Sequence, residues 1–255
     1  MIYFFLIQLK KFIVSPKKFN IPVICIGNIY LGGTGKTPVS ILIANHLKSK
    51  RKPAIVRKYY KDHNDEHEMI KSKAPALVLD SNRSKAIELA IKNSYDTVIL
   101  DDGFQDNSIK KNLNILCFNS RSGIGNGKIF PAGPLREPLS FIKNYQIAII
   151  NGSRNPLLEK TIKEVSKNIK IFYSRYKIKD LIYKKNENII AFAGIGDPDS
   201  FFELMIENKF NILSKYPFPD HYDYKLKDLE KILDEAKKER VKIYTTEKDF
   251  IKIKK

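Results

Sequence analysis

The sequence predicts an α/β protein built on a mostly parallel β-sheet with helices on both faces. Two observations lead there. Short, near-continuous apolar runs recur along the 255 residues, and between many of them lie stretches of helical character; strands covered on both faces read as unbroken apolar runs, and their alternation with helices marks parallel βαβ units. Hydrophobic residues make up 43% of the chain, enough to bury a core in one large or two small domains.

In chain order, strands are expected at Val23–Gly27 ("VICIG"), Ala54–Arg57 ("AIVR"), Ala76–Leu79 ("ALVL"), Thr97–Leu100 ("TVIL") and Ile115–Asn119 ("ILCFN"). Further strands are expected at Ile147–Ile150 ("IAII"), Ile169–Tyr173 ("IKIFY"), Ile189–Ala193 ("IIAFA") and Val241–Thr245 ("VKIYT"). All are short and rich in β-branched or aromatic residues, the composition that suits a pleated, buried surface. Helices are expected at Pro38–Lys50, Ser84–Asn93, Leu157–Lys167, Ser200–Glu207 and Leu226–Glu239. The polar, lysine-rich stretch Lys177–Asn188 reads as a connection between domains, so residues 21–178 form the expected core and residues 179–255 a smaller α/β lobe.

Residues 1–20 stand apart. "MIYFFLIQLKKFIV" has no basic residue ahead of its apolar segment and no small-residue cleavage site, so it does not read as a secretory signal. As a helix it places Ile2, Phe5, Leu6, Leu9, Phe12 and Ile13 on one face, with Gln8, Lys11, Lys17 and Lys18 supplying polar groups. That pattern fits a helix lying in a membrane interface, and equally one docked on the core. No apolar run is long enough to cross a bilayer.

The formal net charge is +18, carried mostly by Lys dispersed along the chain. Such a surface either keeps the protein soluble or meets an anionic partner: a membrane face, a phosphorylated substrate or a nucleic acid. No zinc-finger, RRM-like or helix-turn-helix signature accompanies the charge, so no nucleic-acid partner is expected. Cys25 and Cys117 lie far apart within apolar runs and lack metal-ligand spacing, so both read as buried hydrophobes.

Four stretches carry chemistry. "GNIYLGGTGKTP" (Gly27–Pro38) follows a strand and precedes a helix, the setting in which backbone N–H groups and a helix N-terminus cradle phosphates. Lys36 then reaches the terminal phosphates of a nucleotide and Thr37 places a hydroxyl on Mg²⁺. The general pattern has glycine where this chain has Tyr30, and a tight connecting turn is the plain alternative. "YDTVILDDGFQ" ends a strand in the adjacent carboxylates Asp101 and Asp102, which suit a divalent cation opposite the phosphate loop, or else a solvated turn. "GIGNGKIFPAGPLREPLS" (Gly123–Ser140) is long for an idle connection and carries Arg136 and Glu137; an arginine there suits a two-pronged grip on phosphate. In "FPDHYDY", Asp220 is adjacent to His221 and could orient it. "AGIGDPDSFF" and "TEKD" also place small or charged residues at strand ends.

Taken in order, "GNIYLGGTGKTP", "VILDDGFQ", "GNGKIFPAGPLREPLS", "AGIGDPDSFF", "FPDHYDY" and "TEKD" resemble the tetraacyldisaccharide 4'-kinase family, from about Val23 to Asp249. The resemblance implies a P-loop NTPase-like fold with a smaller C-terminal lobe. It implies transfer of the γ-phosphoryl of ATP to the 4'-hydroxyl of an acylated glucosamine disaccharide 1-phosphate in lipid A synthesis, at the cytoplasmic face of the bacterial inner membrane. By the same resemblance Gly32, Gly33, Thr34, Gly35, Lys36 and Thr37 hold ATP, while Thr37, Asp101 and Asp102 hold Mg²⁺. Lys36 and Asp101 take part in transfer, Asp65 in "NDEH" acts as base together with His221, and Arg83, Gln105, Arg136 and Glu137 meet substrate. An anionic membrane surface is the implied partner.

Three departures are visible. Where relatives carry an Arg-Gly-Tyr-Gly segment leading to Asp-Glu-Pro, this chain has "RKYYKDHNDEHE", which makes Asp62 a second candidate for the base. Asp106 stands where histidine is usual, and the sequence stops at "TEKDFIKIKK", so the smaller lobe is expected to be truncated. Two other classes compete. A regulatory GTPase or metal-insertion ATPase calls for Asn-Lys-x-Asp at a strand end, which "INGSR" and "TEKD" do not supply; a decayed nucleotide fold would bind anionic surfaces without turnover.

Overall fold

The structure, a computed structural model, describes residues 15–60, 64–178 and 186–253. They divide into two compact units, one ending at Ser174 and one beginning at Arg175. Most of the segment read above as an interface helix lies outside the described residues, as does Asp62. No described helix is long and apolar enough to cross a membrane.

In the larger unit the elements run β1 (Val23–Gly27), α1 (Lys36–Leu47), β2 (Pro53–Lys58), α2 (Asn64–Lys73), β3 (Leu77–Asp80), α3 (Arg83–Lys92), β4 (Thr97–Asp101) and β5 (Leu113–Asn119). A 3₁₀ turn at Leu139–Asn144, β6 (Ile147–Asn151), α4 (Pro156–Val165) and β7 (Lys170–Ser174) complete it. The strands form a seven-stranded sheet in the order β3-β2-β4-β1-β5-β6-β7, with every pairing parallel.

The apolar runs explain themselves in this setting. Alternate residues of one strand serve different layers: Val23, Cys25, Ala54, Val56, Val98, Leu100, Leu116 and Phe118 pack into one cluster. Ile26, Ile55, Ile99, Ile115 and Cys117 pack into the other, beneath α1. A strand with both faces covered has no polar face to show. Burial pushes both cysteine thiols up to about 12, so they behave as inert hydrophobes. At the sheet margin, β7 is different, with Phe172 and Tyr173 largely exposed.

The smaller unit repeats the logic with β8 (Asn188–Ala193), α5 (Pro198–Glu207), β9 (Asn211–Pro217), α6 (Leu226–Glu239), β10 (Lys242–Thr245) and α7 (Glu247–Ile253), its strands ordered β10-β8-β9 and parallel. Its central strand is buried on both sides, with Ile189, Ala191 and Ala193 in one cluster and Ile190 and Phe192 in the other.

Four elements depart from the sequence-based expectation. The helix α2 ("NDEHEMIKSK") is almost wholly polar, β9 ("NILSKYP") alternates exposed and half-buried residues, and α7 and the 3₁₀ turn are short. None offers the apolar run or wide apolar stripe that betrays an element in a single sequence.

Helix starts differ in a way that bears on function. The starts of α3 and α4 are capped by side chains: Asn82 accepts from Ser84 N (2.9 Å) and Lys85 N (3.3 Å), and Asn155 accepts from Leu158 N (2.9 Å). The start of α1 has no side-chain cap; its N-cap is Gly35, in the left-handed region at φ 75°. Gly32, at φ 111°, is equally out of reach for an ordinary L-residue.

Tyr30, which replaces the glycine of the general phosphate-loop pattern, is an anchor. It is 3% exposed, stacks on Phe118 (ring centroids 6.1 Å apart), and its hydroxyl accepts from the Asn119 N–H at the end of β5. Its carbonyl accepts from Asn28 Nδ2 at 2.6 Å. One aromatic side chain thus ties the entry of the loop to the neighbouring strand. Restoring the general pattern with Tyr30→Gly should destabilise the protein by about 3 kcal/mol or more, the scale for deleting a buried aromatic, as read from the urea midpoint at unchanged slope.

Candidate active site

The strand order brings the carboxyl ends of β1, β4 and β2 side by side. Ile26 of β1 pairs with Asp101 of β4, and Val56 of β2 pairs with Leu100, so Arg57 stands next to Asp101. Asp101 has no exposed surface. A buried carboxylate must find donors, and three side chains supply them. Thr37 Oγ1 donates to Oδ2 (2.9 Å), Ser40 Oγ to Oδ1 (2.9 Å), and Arg57 Nη1 to Oδ2 (2.7 Å). Arg57 Nη1 also lies 3.3 Å from Thr37 Oγ1, and Arg57 Nη2 pairs with Glu66 in the first turn of α2. Burial works against the Arg57 charge, but Asp101 and Glu66 outweigh it and hold the guanidinium more firmly protonated.

Asp102 faces the other way. Its backbone is left-handed (φ 54°), its N–H donates to the Ile26 carbonyl (3.0 Å), and its side chain is about a third exposed. Lys36 Nζ approaches Asp102 Oδ1 at 3.9 Å and Arg136 Nη1 at 3.5 Å. Partial burial raises the Asp102 carboxyl, but Lys36, Arg136, Arg57 and Arg83 more than offset it and leave the group below the usual carboxylate range.

Around this pair the predicted substrate residues converge. Arg136 donates from Nη1 to Asn28 Oδ1 (3.0 Å) and from Nη2 to Gln105 Oε1 (2.9 Å), while Gln105 Nε2 reaches the Asn28 carbonyl (3.3 Å). Arg83, first residue of α3, donates to the Asp102 carbonyl (2.7 Å) and lies 3.7 Å from Asp106 Oδ2. Asp106, in the position where histidine is usual, thus forms a pair with an arginine. Glu137 is buried beside Arg136, both backbone N–H groups donating to the Ile29 carbonyl. Tyr60, Arg83, Asp102, Gln105 and Arg136 are among the residues lining a cleft of about 380 Å³.

Within the phosphate loop, Thr34 is buried, its carbonyl accepts from Asn151 Nδ2, and its hydroxyl has no hydrogen-bond partner among the described residues. Asp65 is also buried, in the first turn of α2, one residue from the Glu66 that pairs with Arg57. His221 belongs to the smaller unit. There Asp220 Oδ1 accepts from the His221 backbone N–H (3.0 Å) and lies 3.9 Å from its Nε2, while Lys248 Nζ lies 3.3 Å from the same ring nitrogen.

Sequence reasoning missed Arg57, Glu66, Ser40 and Asn28. Ser40 carried one available signal, its place one turn after Lys36 on the same helix face.

The donor set suits a hard cation held chiefly by phosphates. Among the described residues no three His, Cys, Asp or Glu side chains gather as a metal cage. A hydroxyl and one or two carboxylates beside a phosphate loop are the complement Mg²⁺ takes when a nucleotide supplies the remaining oxygens.

A model of the tetraacyldisaccharide-1-P 4'-kinase family, LpxK, matches residues 1–255. The chain belongs to this family. Among its relatives, the tetraacyldisaccharide 4'-kinase of Pelagibacter ubique (strain HTCC1062) is 38% identical over 248 residues, covering 94% of this chain and 79% of the relative. That of Bradyrhizobium sp. (strain ORS 278) is 29% identical over 258 residues, covering 93% and 77%. A crystal structure of LpxK from Aquifex aeolicus, described as the "apo" form in complex with ATP, matches with a TM-score of 0.69 at 27% identity, covering 98% of this chain and 85% of that one. The chain is therefore an enzyme, a kinase for the 4'-hydroxyl of a tetraacyldisaccharide 1-phosphate in lipid A synthesis, on the P-loop α/β fold expected from its sequence.

The two carboxylates should answer differently to removal. Asp101→Asn strands the buried Arg57 charge and should cost about 3–5 kcal/mol of unfolding free energy, read by urea titration at pH 7. The Asp102 carboxyl has a folded-state pKa below its ordinary 3.8, so its stabilising contribution is complete above that value and is lost as the pH falls through the folded value. The stability gap between the parent and Asp102→Asn should accordingly be present at pH 7 and shrink on acidification below about pH 4.

Proposed function

We propose that the larger unit binds ATP with Mg²⁺ at the loop from Gly32 to Thr37 and delivers its γ-phosphoryl to the lipid acceptor in the cleft that Arg83, Gln105 and Arg136 line. The observation that carries this reading is the convergence of Lys36, Thr37, Asp101 and Asp102 at adjoining strand ends, beside that cleft. The backbone N–H groups of Gly33, Thr34 and Gly35 and the uncapped start of α1 donate to phosphate oxygens, and the Thr34 hydroxyl adds a donor. Lys36 leaves Asp102 for the phosphate chain, trading one anion for another.

Thr37 and Asp102 are the groups that fit the cation, and Asp101 serves it by fixing Thr37 from behind. Bound there, Mg²⁺ would supply charge neutralisation for the phosphate chain during transfer. Arg136, with Glu137 behind it, and Arg83 steer the acceptor and hold its own phosphate away from the incoming one. Asp65 takes the proton of the 4'-hydroxyl, and His221 is a second acid–base group carried by the smaller unit; the link from Glu66 through Arg57 to Asp101 sets the helix that bears Asp65.

The kinase works as a peripheral protein at the cytoplasmic face of the inner membrane. A lipid acceptor must be met where it lies, and a net charge of +18 favours an anionic leaflet.

An assay of ATP-dependent phosphorylation of the acylated disaccharide 1-phosphate tests the assignments. Lys36→Ala should lose turnover by about 100-fold or more. Asp65→Ala should lose about as much yet keep the rise in melting temperature that Mg-ATP confers on the parent. If Asp65→Ala turns over normally and Asp62→Ala shows that behaviour instead, the base is Asp62.

A further inference from the structure

The segment "DDGFQD", which ends β4, carries Gln105 into the cleft, and the chain on either side of that residue is held from behind. Phe104 turns inward: it is 8% exposed and stacks on Tyr145, with ring centroids 4.2 Å apart. It packs so close to the end of β1 that a methyl group on Gly27 would sit 2.7 Å from its Cβ. The backbone carbonyls of Phe104 and Asp106, which flank Gln105, still need donors. One cation meets both. Lys111 Nζ donates to the Phe104 carbonyl at 2.8 Å and to the Asp106 carbonyl at 2.6 Å. It also lies 5.5 Å from the centre of the Phe104 ring, within the range at which a ring attracts an ammonium.

The lysine is itself anchored on both flanks. Its neighbour Asn112 exchanges two hydrogen bonds with Val23 of β1: the Asn112 N–H donates to the Val23 carbonyl (2.8 Å), and Asn112 Oδ1 accepts from the Val23 N–H (2.9 Å). On the other side the Lys110 N–H donates to the Lys17 carbonyl (2.9 Å). An ammonium carries three donors, and here two of them close the turn from residue 104 to residue 106. The Asp106 N–H donates to the Gly103 carbonyl (3.2 Å), which bends the chain but leaves the carbonyls beside Gln105 to the lysine.

What the turn holds out is a side chain with two fixed ends. Gln105 Oε1 accepts from Arg136 Nη2 (2.9 Å), Gln105 Nε2 reaches the Asn28 carbonyl (3.3 Å), and Arg136 Nη1 donates to Asn28 Oδ1 (3.0 Å). A glutamine amide accepts at one atom and donates at the other, so the set closes only while the backbone at residue 105 stays in place.

We propose that Lys111 is a positioning residue for the acceptor end of the cleft: by holding the Phe104 and Asp106 carbonyls it sets Gln105, and through Gln105 it fixes the plane of the Arg136 guanidinium. The part that Gln105 and Arg136 play in binding the acceptor rests on the function proposed above; the clamp itself does not. A lysine that only stabilised the fold would lower the urea midpoint when removed and leave both KM values alone.

Glutamine-selective ¹⁵N labelling of the full chain reads the clamp without reference to turnover. The chain has three glutamines, and Gln105→Ala identifies the side-chain amide signal. In Lys111→Met that signal should move to the position of a free, solvated amide; in Lys111→Arg, which keeps a cationic donor, it should stay near the parent's. Lys111→Met should also raise KM for the acylated disaccharide 1-phosphate about 10-fold with KM for ATP unchanged, and Lys111→Arg should restore most of that loss. In a Gln105→Ala background the Lys111→Met change should add less than about twofold, because the two residues act in series.

A Gln105 signal that Lys111→Met leaves unmoved overturns the clamp. An acceptor KM that Lys111→Met leaves unchanged while Gln105→Ala raises it does so too. A normal acceptor KM in Gln105→Ala removes Gln105 from acceptor binding instead, and the labelled amide still decides the clamp, so the two failures are told apart. Should Lys111→Met fail to fold, Lys111→Gln takes its place with the same expectations.

Discussion

Everything at the nucleotide end of the larger unit turns on one buried negative charge. Asp101 has no contact with water, and a carboxylate in that position is tolerable only while its oxygens are met by donors. Those donors come from separate parts of the chain: Thr37 and Ser40 on α1, and Arg57 on β2. Arg57 in turn holds Glu66 on α2. The electrostatic requirement of a single side chain therefore fixes the first turn of the phosphate-loop helix, the end of a neighbouring strand and the helix beyond it in one arrangement. Asp102, its neighbour in sequence, is turned outward by a left-handed backbone and is left to face cations. Two adjacent carboxylates thus hold different positions, one structural and one facing the cleft.

Topology supplies the stage for that charge. The chain leaves β1 towards β2 on one side, and from β4 passes over to β5 on the other, so the strand order reverses about the β4-β1 pair. Crevices form outside the carboxyl ends of parallel strands at such a reversal. The "DDGFQ" segment leaves β4 there, the glycine-rich loop leaves β1 there, and the loop bearing Arg136 returns to pair at Ile29. The segments that bear Lys36, Gln105 and Arg136 lie far apart in sequence and meet because the sheet sends them to one place.

How much of this the sequence disclosed follows from how each residue is embedded. Lys36, Thr37, Asp101 and Asp102 sit in short contiguous motifs whose composition makes poor core material, so they stand out without any knowledge of the fold. Arg57 does not, since it ends an apolar strand in a chain with 46 Lys and Arg, and nothing nearby sets it apart. Glu66 and Asp65 lie on a helix whose polar sequence gives no period to read, and Asn28 is one polar residue in a loop. The strands of the larger sheet were legible because two covered faces leave an unbroken apolar run; β9, with its alternating exposure, was not. Tyr30 looked like a defect in a pattern until its ring was seen against Phe118. The contact between Lys248 and His221 joins residues 27 apart and is invisible in either motif alone.

The position of β1 has a consequence for how the chain is made. Its partners are β4 and β5, so Cys25 and Ile26 gain their last neighbour only when Asn114 and Ile115 have left the ribosome. At usual rates of synthesis that is an interval on the order of ten seconds, during which at least one edge of this apolar central strand is unpaired. Nascent-chain chaperones have their window there, and the assembly of the nucleotide pocket is among the later events in the birth of the larger unit.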